Sequence, residues 1–184
     1  MFHVKRSRAS TPTRGICFLY NSRPADPTKS EKEKDMNKEF MLRALKLAEK
    51  AKENTDVPVG AIVVKDGEII GEGYNKREET SDPTAHAEVV AIRQAAERLG
   101  SWRLDGCQLY VTLEPCPMCA GAIINSRIDT VVFGAYDLKA GSASKESVVD
   151  LFSLPYNHRP QVYGGICERE CAEILTEFFK EKRP

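Results

Sequence analysis

Apolar residues along the chain recur first at helical spacing and then at strand spacing. From Asp35 to Ala51 they return every three or four positions, which predicts an amphipathic helix that ends between Asn54 and Pro58. Two short apolar runs then flank Asp66-Gly67, a dipeptide typical of tight hairpin turns. The pattern therefore predicts that Val59–Tyr74 forms two antiparallel strands.

Helices and strands alternate in the rest of the predicted pattern. A second helix is expected over Asp82–Gly100, with Asp82 or Thr84 as its cap, Pro83 in its first turn and Gly100 at its end. The later elements are a strand in CQLYVTL, a short helix in PCPMCAGAIINSR, strands over Thr130–Ala135 and Gln161–Ile166, and a closing helix in CERECAEILTEFFKEKR. Residues 137–160 are predicted to be mostly loop, with a short helix near 148–154. This order indicates an α/β domain of three layers, a five-stranded mixed sheet with helices on both faces.

The first 35 residues have no apolar period and are basic at their start. Five basic residues precede the first acid, Asp26. We expect a disordered extension before a domain over residues 36–184. A targeting peptide is a second interpretation, because such peptides are basic and poor in acids. A misassigned start is the third, since Met36 stands where the ordered pattern begins.

Composition narrows the class of protein. The 27 basic and 27 acidic residues cancel, so the whole chain has no net charge that would favour nucleic acid. No apolar run approaches the roughly 18 residues that a membrane span needs, so no membrane partner is expected. The six cysteines fit a cytoplasmic protein in which clustered thiols bind metal more often than they form disulfides.

Two cysteines and a histidine form the candidate metal site. Cys116 and Cys119 are three positions apart in the first turn of a predicted helix, where the helix dipole favours thiolates. His86 stands at the start of another predicted helix. One nitrogen and two sulfurs are ligands that zinc prefers, and a catalytic zinc leaves its fourth position for water. Glu88, two residues after His86, suits a proton shuttle beside such a water.

Other interpretations of these residues remain open at this level. A lone C-x-x-C also suits redox chemistry, and two small thiols at a helix start also suit a core. A closed structural zinc site is a further alternative, with Cys107, Cys167 or Cys171 as the fourth ligand.

The spacing matches a known signature. H-x-E followed by P-C-x-x-C marks the zinc-dependent nucleobase deaminases, and the 27 residues between Glu88 and Cys116 leave room for one helix and one strand. Beyond this motif, the chain resembles the bacterial tRNA adenosine deaminases from about Met36 to Arg183. The segments that carry the resemblance are VPVGAIVV, GYNKRE, HAEVVAIRQA, WRLDGCQLYVTLEPCPMCAGAI, SRIDTVVFGAYDLKAG and YNHRPQV.

The resemblance implies a fold, a reaction and a set of roles. It implies a cytidine-deaminase-like fold, a homodimer, one Zn2+ per subunit and conversion of adenosine to inosine at the wobble position of a tRNA anticodon loop. His86, Cys116 and Cys119 would hold the metal, and Glu88 would move protons between water, the ring nitrogen and the leaving ammonia.

The resemblance also implies contacts with the substrate. Asn75 would hydrogen-bond the base, although an asparagine after a strand is also an ordinary turn residue. Val57 and Pro58, with Val59, would wall the pocket, and Asp137, Asn157 and His158 would lie near the bound strand. Five basic residues are candidates for a phosphate track: Arg77, Arg103, Lys139, Lys145 and Arg159.

Two other functions compete with this one. A zinc deaminase of a free base or nucleoside, such as guanine or cytidine, would share the metal motif. A non-catalytic RNA-binding subunit would use the same fold, but the presence of Glu88 disfavours it.

Overall fold

The computed structural model describes residues 27–182, with side chains from residue 38 onward. Its helices are α1 (Pro27–Glu53), α2 (Arg77–Thr80), α3 (Ala87–Leu99), α4 (Pro117–Ser126) and α5 (Glu168–Glu181). Its strands are β1 (Gly60–Lys65), β2 (Glu68–Tyr74), β3 (Gln108–Leu113), β4 (Thr130–Ala135) and β5 (Gln161–Tyr163). A short 3-10 turn covers Leu151–Ser153, inside the stretch where the sequence predicts a short helix.

The five strands form one mixed sheet in the order β2-β1-β3-β4-β5. β1 pairs antiparallel with both β2 and β3, whereas β3 with β4 and β4 with β5 are parallel. The α/β fold class and the five-stranded mixed sheet predicted from the sequence are confirmed.

Each face of the sheet has its own apolar core. Alternate residues of a strand point to opposite faces, so Ala61 and Val63 of β1 lie with α3 and α4, while Ile62 and Val64 lie with α1 and α5. β3 and β4 divide in the same way. The three layers predicted from the element order are therefore present.

Close approach between α3 and β2 depends on two glycines. A Cβ atom at Gly71 or Gly73 would collide with the backbone carbonyl of Ala91 or Ala87, respectively. The sheet can therefore hold the first turn of α3 directly against its surface, and this turn carries Glu88.

Two helix starts differ from the prediction. α1 begins at Pro27, eight residues before the predicted Asp35. The intervening sequence lacks an apolar stripe, but its lysines and glutamates have high helix propensity, and proline is favoured in a first helical turn. The part of the predicted N-terminal extension over residues 1–26 lies outside the described residues.

α3 begins at Ala87 and not near Asp82. The Asp82 carboxylate accepts hydrogen bonds from the backbone N–H and the hydroxyl of Thr84, at 2.8 and 2.7 Å. These bonds close a local turn, so neither Asp82 nor Thr84 caps the helix and Pro83 lies outside it. Gly100 ends α3 in a left-handed conformation, as predicted.

Within residues 27–182, no helix combines the length and apolar character needed to cross a membrane. The five cysteines in this part of the chain are all free thiols.

Candidate active site

Four chain segments meet at one edge of the sheet. β2, β3 and β4 end at this edge, and β1, antiparallel to β2 and β3, begins there. The residues that precede β1 and those that follow β2, β3 and β4 therefore lie close together at this edge. The first turns of α3 and α4 also lie at this edge, because α4 follows β3 directly and α3 packs on the end of β2.

His86, Cys116 and Cys119 come together at this edge. The Nδ1 atom of His86 lies 3.8 Å from the Sγ atom of Cys116 and 3.6 Å from that of Cys119. With zinc–sulfur bonds of about 2.3 Å and zinc–nitrogen bonds of about 2.1 Å, a tetrahedral ion separates such atoms by about 3.6 Å. The three side chains therefore fit a zinc ion.

Helix geometry places these ligands. His86 and Cys116 are the residues just before α3 and α4, both with extended backbone, and Cys119 is the third residue of α4. The sequence predicts His86 and Cys116 inside the first helical turns, whereas in the structure both are N-cap residues. The free backbone N–H groups of two helix starts thus face the ligands and favour thiolates.

Hydrogen bonds among the two thiols and the imidazole shift the pKa values of all three groups. A hydrogen bond from the Cys119 thiol lowers the pKa of Cys116 to about 4, and the same bond raises the pKa of Cys119. A hydrogen bond to Cys116 raises the pKa of His86. Zinc binds the deprotonated forms of all three groups, so metal binding releases the protons that these hydrogen bonds hold.

The Glu88 carboxyl is only 4% exposed and lies beside this ligand set. Burial raises the pKa of Glu88 to about 7. A carboxyl with such a pKa can accept and donate a proton near neutral pH, which a proton shuttle requires.

These residues border a cleft of ≈ 180 Å³ that opens to solvent. Val57, Val59 and Leu113 supply apolar walls, while His86, Glu88 and Cys116 lie on its metal side. Asn75 and Asp137, for which the resemblance implies contacts with the substrate, also line it. Pro58, the residue between Val57 and Val59 in the chain, is buried and does not line the cleft, although the resemblance implies that it would.

Asn75 connects the cleft wall to the first turn of α3. Its Oδ1 atom accepts a hydrogen bond from the backbone N–H of Ala87 at 2.9 Å, and its Nδ2 atom donates to the carbonyl of Val57 at 3.0 Å. Ala87 lies between His86 and Glu88. The Asn75 side chain therefore fixes the position of Ala87 between the candidate metal ligand and the carboxyl. This role is in addition to the base contact that we predict for Asn75.

We expect Asn75→Ala to lower the free energy of unfolding by about 1–3 kcal/mol, because it leaves the buried N–H of Ala87 without its partner and removes one of the two hydrogen bonds that the Val57 carbonyl accepts. Denaturant unfolding measures this change. Asn125→Ala, at an exposed asparagine of α4, serves as the control and should shift the midpoint little. Equal shifts for the two variants would contradict this role of Asn75.

The structure places Asn157 and His158 away from the cleft. They precede β5, whose first residue Gln161 pairs with Thr130 at the opposite edge of the sheet. His158 Nε2 lies 2.6 Å from the Ile128 carbonyl, and Asn157 Oδ1 accepts a hydrogen bond from Arg127 at 3.1 Å. These contacts fix the far end of α4, about 15 Å along the helix from Cys116.

Of the five basic candidates, two lie near the site. Arg77 borders the cleft, and Lys139 borders the groove that adjoins it. Arg103 pairs with Asp105 before β3, at the opposite edge, and Lys145 and Arg159 are exposed.

Two acidic residues at the site were not predicted. Glu114 lines the cleft and is buried, and the buried Asp56 carboxylate lies 3.5 Å from Arg77 at the cleft rim. In the sequence, Asp56 directly precedes Val57 and Glu114 directly precedes Pro115. This pattern alone does not distinguish the two acids from acids on the surface.

In the described part of the chain, no third cysteine supplies a fourth ligand to this group. There, the group with metal-type spacing consists of His86, Cys116 and Cys119, whose ligand atoms all lie within 4.8 Å of one another. Cys171 lies in the core on the other face of the sheet, and Cys107 precedes β3 at the opposite edge. The arrangement thus favours an open, catalytic ligand set over a closed structural one.

The site matches that of the zinc-dependent nucleobase deaminases, in which one histidine and two cysteines bind the metal and a nearby glutamate moves protons. The family model for the cytidine and deoxycytidylate deaminase zinc-binding region matches residues 34–135. The chain belongs to this family. The resemblance seen in the sequence is therefore confirmed.

Curated relatives carry a more specific name. A tRNA-specific adenosine deaminase of Bacillus subtilis (strain 168) is 47% identical over 145 residues, which cover 78% of this chain and 89% of the relative. A tRNA-specific adenosine deaminase of Agrobacterium fabrum (strain C58) is 51% identical over 145 residues, which cover 78% of this chain and 94% of that relative.

Solved structures agree with the fold. A structure from studies of A-to-I editing by tRNA:A34 deaminases at the wobble position has a TM-score of 0.72 and 50% identity, covering 74% of this chain and 99% of that one. A guanine deaminase from Bacillus subtilis has a TM-score of 0.53 and 38% identity, covering 78% and 91%.

Proposed function

We propose that this protein deaminates adenosine to inosine at the wobble position of a tRNA anticodon. The observation that carries the proposal is the cleft in which the buried Glu88 carboxyl adjoins His86 and Cys116. Relatives of 47–51% identity named tRNA-specific adenosine deaminases support the choice of substrate.

The residues of the chain divide the chemistry among them. His86, Cys116 and Cys119 hold Zn2+, which when bound supplies the Lewis acid that activates water at neutral pH. Glu88 accepts one proton of the water whose oxygen bonds to C6 and donates this proton to the ring nitrogen. The C6–N6 bond then breaks as Glu88 transfers the remaining hydroxyl proton to the leaving amino group, so that inosine and ammonia result. Asn75, Val57 and Val59 orient the base in the cleft, and Asp137 lies where a short acceptor can read a 2′-hydroxyl.

A neighbouring groove supports a polynucleotide substrate over a free base. A second concavity of ≈ 570 Å³ shares Val57, Leu113 and Asp137 with the cleft. Tyr136 and Phe179 border it with exposed aromatic rings, and Lys139 and Lys182 supply positive charge. Aromatic faces stack bases and lysines bind phosphates, so this groove suits nucleotides that flank the target. An anticodon loop already presents unstacked bases, which avoids the cost of flipping one out of a duplex.

The proposal includes an assembly and a location. It assigns one zinc ion to each subunit of a homodimer, which metal analysis and the mass in solution measure directly. The free thiols of the described residues and a tRNA substrate favour the cytoplasm.

The decisive experiment compares deamination of two anticodon stem-loops, with adenosine or cytidine at the wobble position, and of free adenosine, cytidine and guanine, and identifies the products as inosine, uridine or xanthine. We expect product from the adenosine stem-loop alone. The guanine deaminase likeness makes free guanine the second candidate substrate. Deamination of a free base or nucleoside without the stem-loop reaction would contradict the proposal, as would RNA binding without turnover.

A further inference from the structure

We propose that Glu114 is a positioning residue that holds one wall of the cleft against the β3–α4 turn, which carries the candidate metal ligand Cys116. We call this wall the 137–147 loop. The inference rests on the proposed function, because it concerns how the same cleft receives an anticodon loop.

Glu114 directs its carboxylate into the 137–147 loop. The side chain is 3% exposed, and the residue stands between β3 and α4, two positions before Cys116. Its Oε2 atom accepts a hydrogen bond from the backbone N–H of Asp137 at 3.0 Å. Its Oε1 atom accepts from the backbone N–H of Ala143 at 3.0 Å and from the hydroxyl of Ser147. One carboxylate thus ties together the two ends and the middle of the loop.

The neighbouring residue strengthens this attachment. The carbonyl of Pro115 accepts hydrogen bonds from the backbone N–H and the hydroxyl of Ser142, at 3.0 and 2.8 Å. Ser142 is fully buried. Two consecutive residues before Cys116 are therefore bonded to the same loop.

The loop passes so close to Glu114 that it requires a glycine. A Cβ atom at Gly141 would lie 2.5 Å from Glu114 Oε2 and 2.5 Å from the Asp137 carbonyl. The Asp137 side chain shapes the same turn, since its Oδ1 atom accepts hydrogen bonds from the backbone N–H groups of Lys139 and Ala140. The loop geometry thus depends on the carboxylate that it surrounds.

This attachment links the wall of the cleft to the metal ligands. Asp137 and Ala140 of the loop line the same cleft as His86 and Glu88. Because the β3–α4 turn carries both Glu114 and Cys116, the same turn fixes a ligand and the loop. The carboxylate oxygens of Glu114 are occupied by the loop, whereas Glu88 is the carboxyl beside the ligands. Glu114 therefore acts on the substrate through the loop and not by contact with the reacting atoms.

Glu114→Gln tests the role, because glutamine offers one acceptor oxygen where the loop needs two and turns an NH2 group toward a donor. We expect KM for the adenosine stem-loop to rise on the order of ten-fold, with kcat within about three-fold and zinc content unchanged. Amide exchange by NMR should be faster at Asp137 and Ala143. Gly141→Ala should give the same KM effect with the carboxylate intact. Glu146→Gln, at an exposed acid of the same loop, is the control and should change neither KM nor exchange.

Each result decides the inference. Unchanged exchange at Asp137 and Ala143 in Glu114→Gln would overturn it, whatever the activity. Faster exchange with unchanged KM would overturn it as well, and so would a joint loss of kcat, zinc and thermal stability, which marks a merely structural role. If the wild-type protein forms no inosine, the proposed function fails, and stem-loop affinity then replaces KM as the readout for Glu114.

Discussion

Glu88→Ala is expected to reduce inosine formation by between about 100-fold and 10,000-fold, while the protein keeps its fold and its zinc. The physical reason is that Glu88 is the buried carboxyl beside the ligand set, so its loss removes the proton acceptor and donor of the reaction. Single-turnover kinetics on the adenosine stem-loop measure this loss, and metal analysis on the same samples measures zinc.

Two further variants make this result specific. Glu88→Gln preserves the size of the side chain but cannot accept the proton, so it should be as inactive as Glu88→Ala. Glu97→Ala, at an exposed glutamate of the same helix, should retain full activity. Activity in Glu88→Gln within a few-fold of wild type would reject Glu88 as the proton shuttle.

Replacement of a metal ligand is expected to have an effect of comparable size but a different signature. Cys119→Ala should lose zinc and at least ~1,000-fold of activity, since the Lewis acid supplies several kcal/mol of transition-state stabilisation. A chelator should lower the thermal midpoint of the wild-type protein, because zinc binds the folded state, and should have no effect on the variant.

Cys167→Ala is the matched control for Cys119→Ala. Cys167 is a half-buried free thiol at the start of α5, outside the ligand set. It should keep zinc, activity and the response to chelator. Full zinc occupancy in Cys119→Ala, or loss of zinc in Cys167→Ala, would show that the ligand set is wrong.

Patterns of short range were readable in the sequence because local chemistry decides them. The Asp66-Gly67 turn joins β1 and β2, and the apolar run at Thr130–Ala135 is β4. Cys116 and Cys119 were recognisable as a pair because three positions along one chain place their sulfurs together in almost any helix start. Where local patterns competed, the observed helix starts differ from the predicted ones. The turn at Asp82 makes α3 start later, and the sequence rich in lysine and glutamate makes α1 start earlier.

Contacts of long range were not readable in the same way. Asn157 and His158 were expected near the substrate strand, yet β5 runs parallel to β4 and carries the residues before it to the opposite edge. Glu114 was missed because its three partners lie 23 to 33 positions later in the chain. Asn75 was expected only to contact the base, and its bonds to Val57 and Ala87 depend on α3 packing against β2.

The sequence by itself thus determined the fold class, the family and the residues that we propose hold zinc and move protons, because these depend on residue types in short motifs. The tertiary structure alone decided which strand ends share an edge, and therefore which side chains border the cleft. It also decided which acids are buried, since the desolvation that raises the pKa of Glu88 arises only when the sheet and two helices exclude water around it.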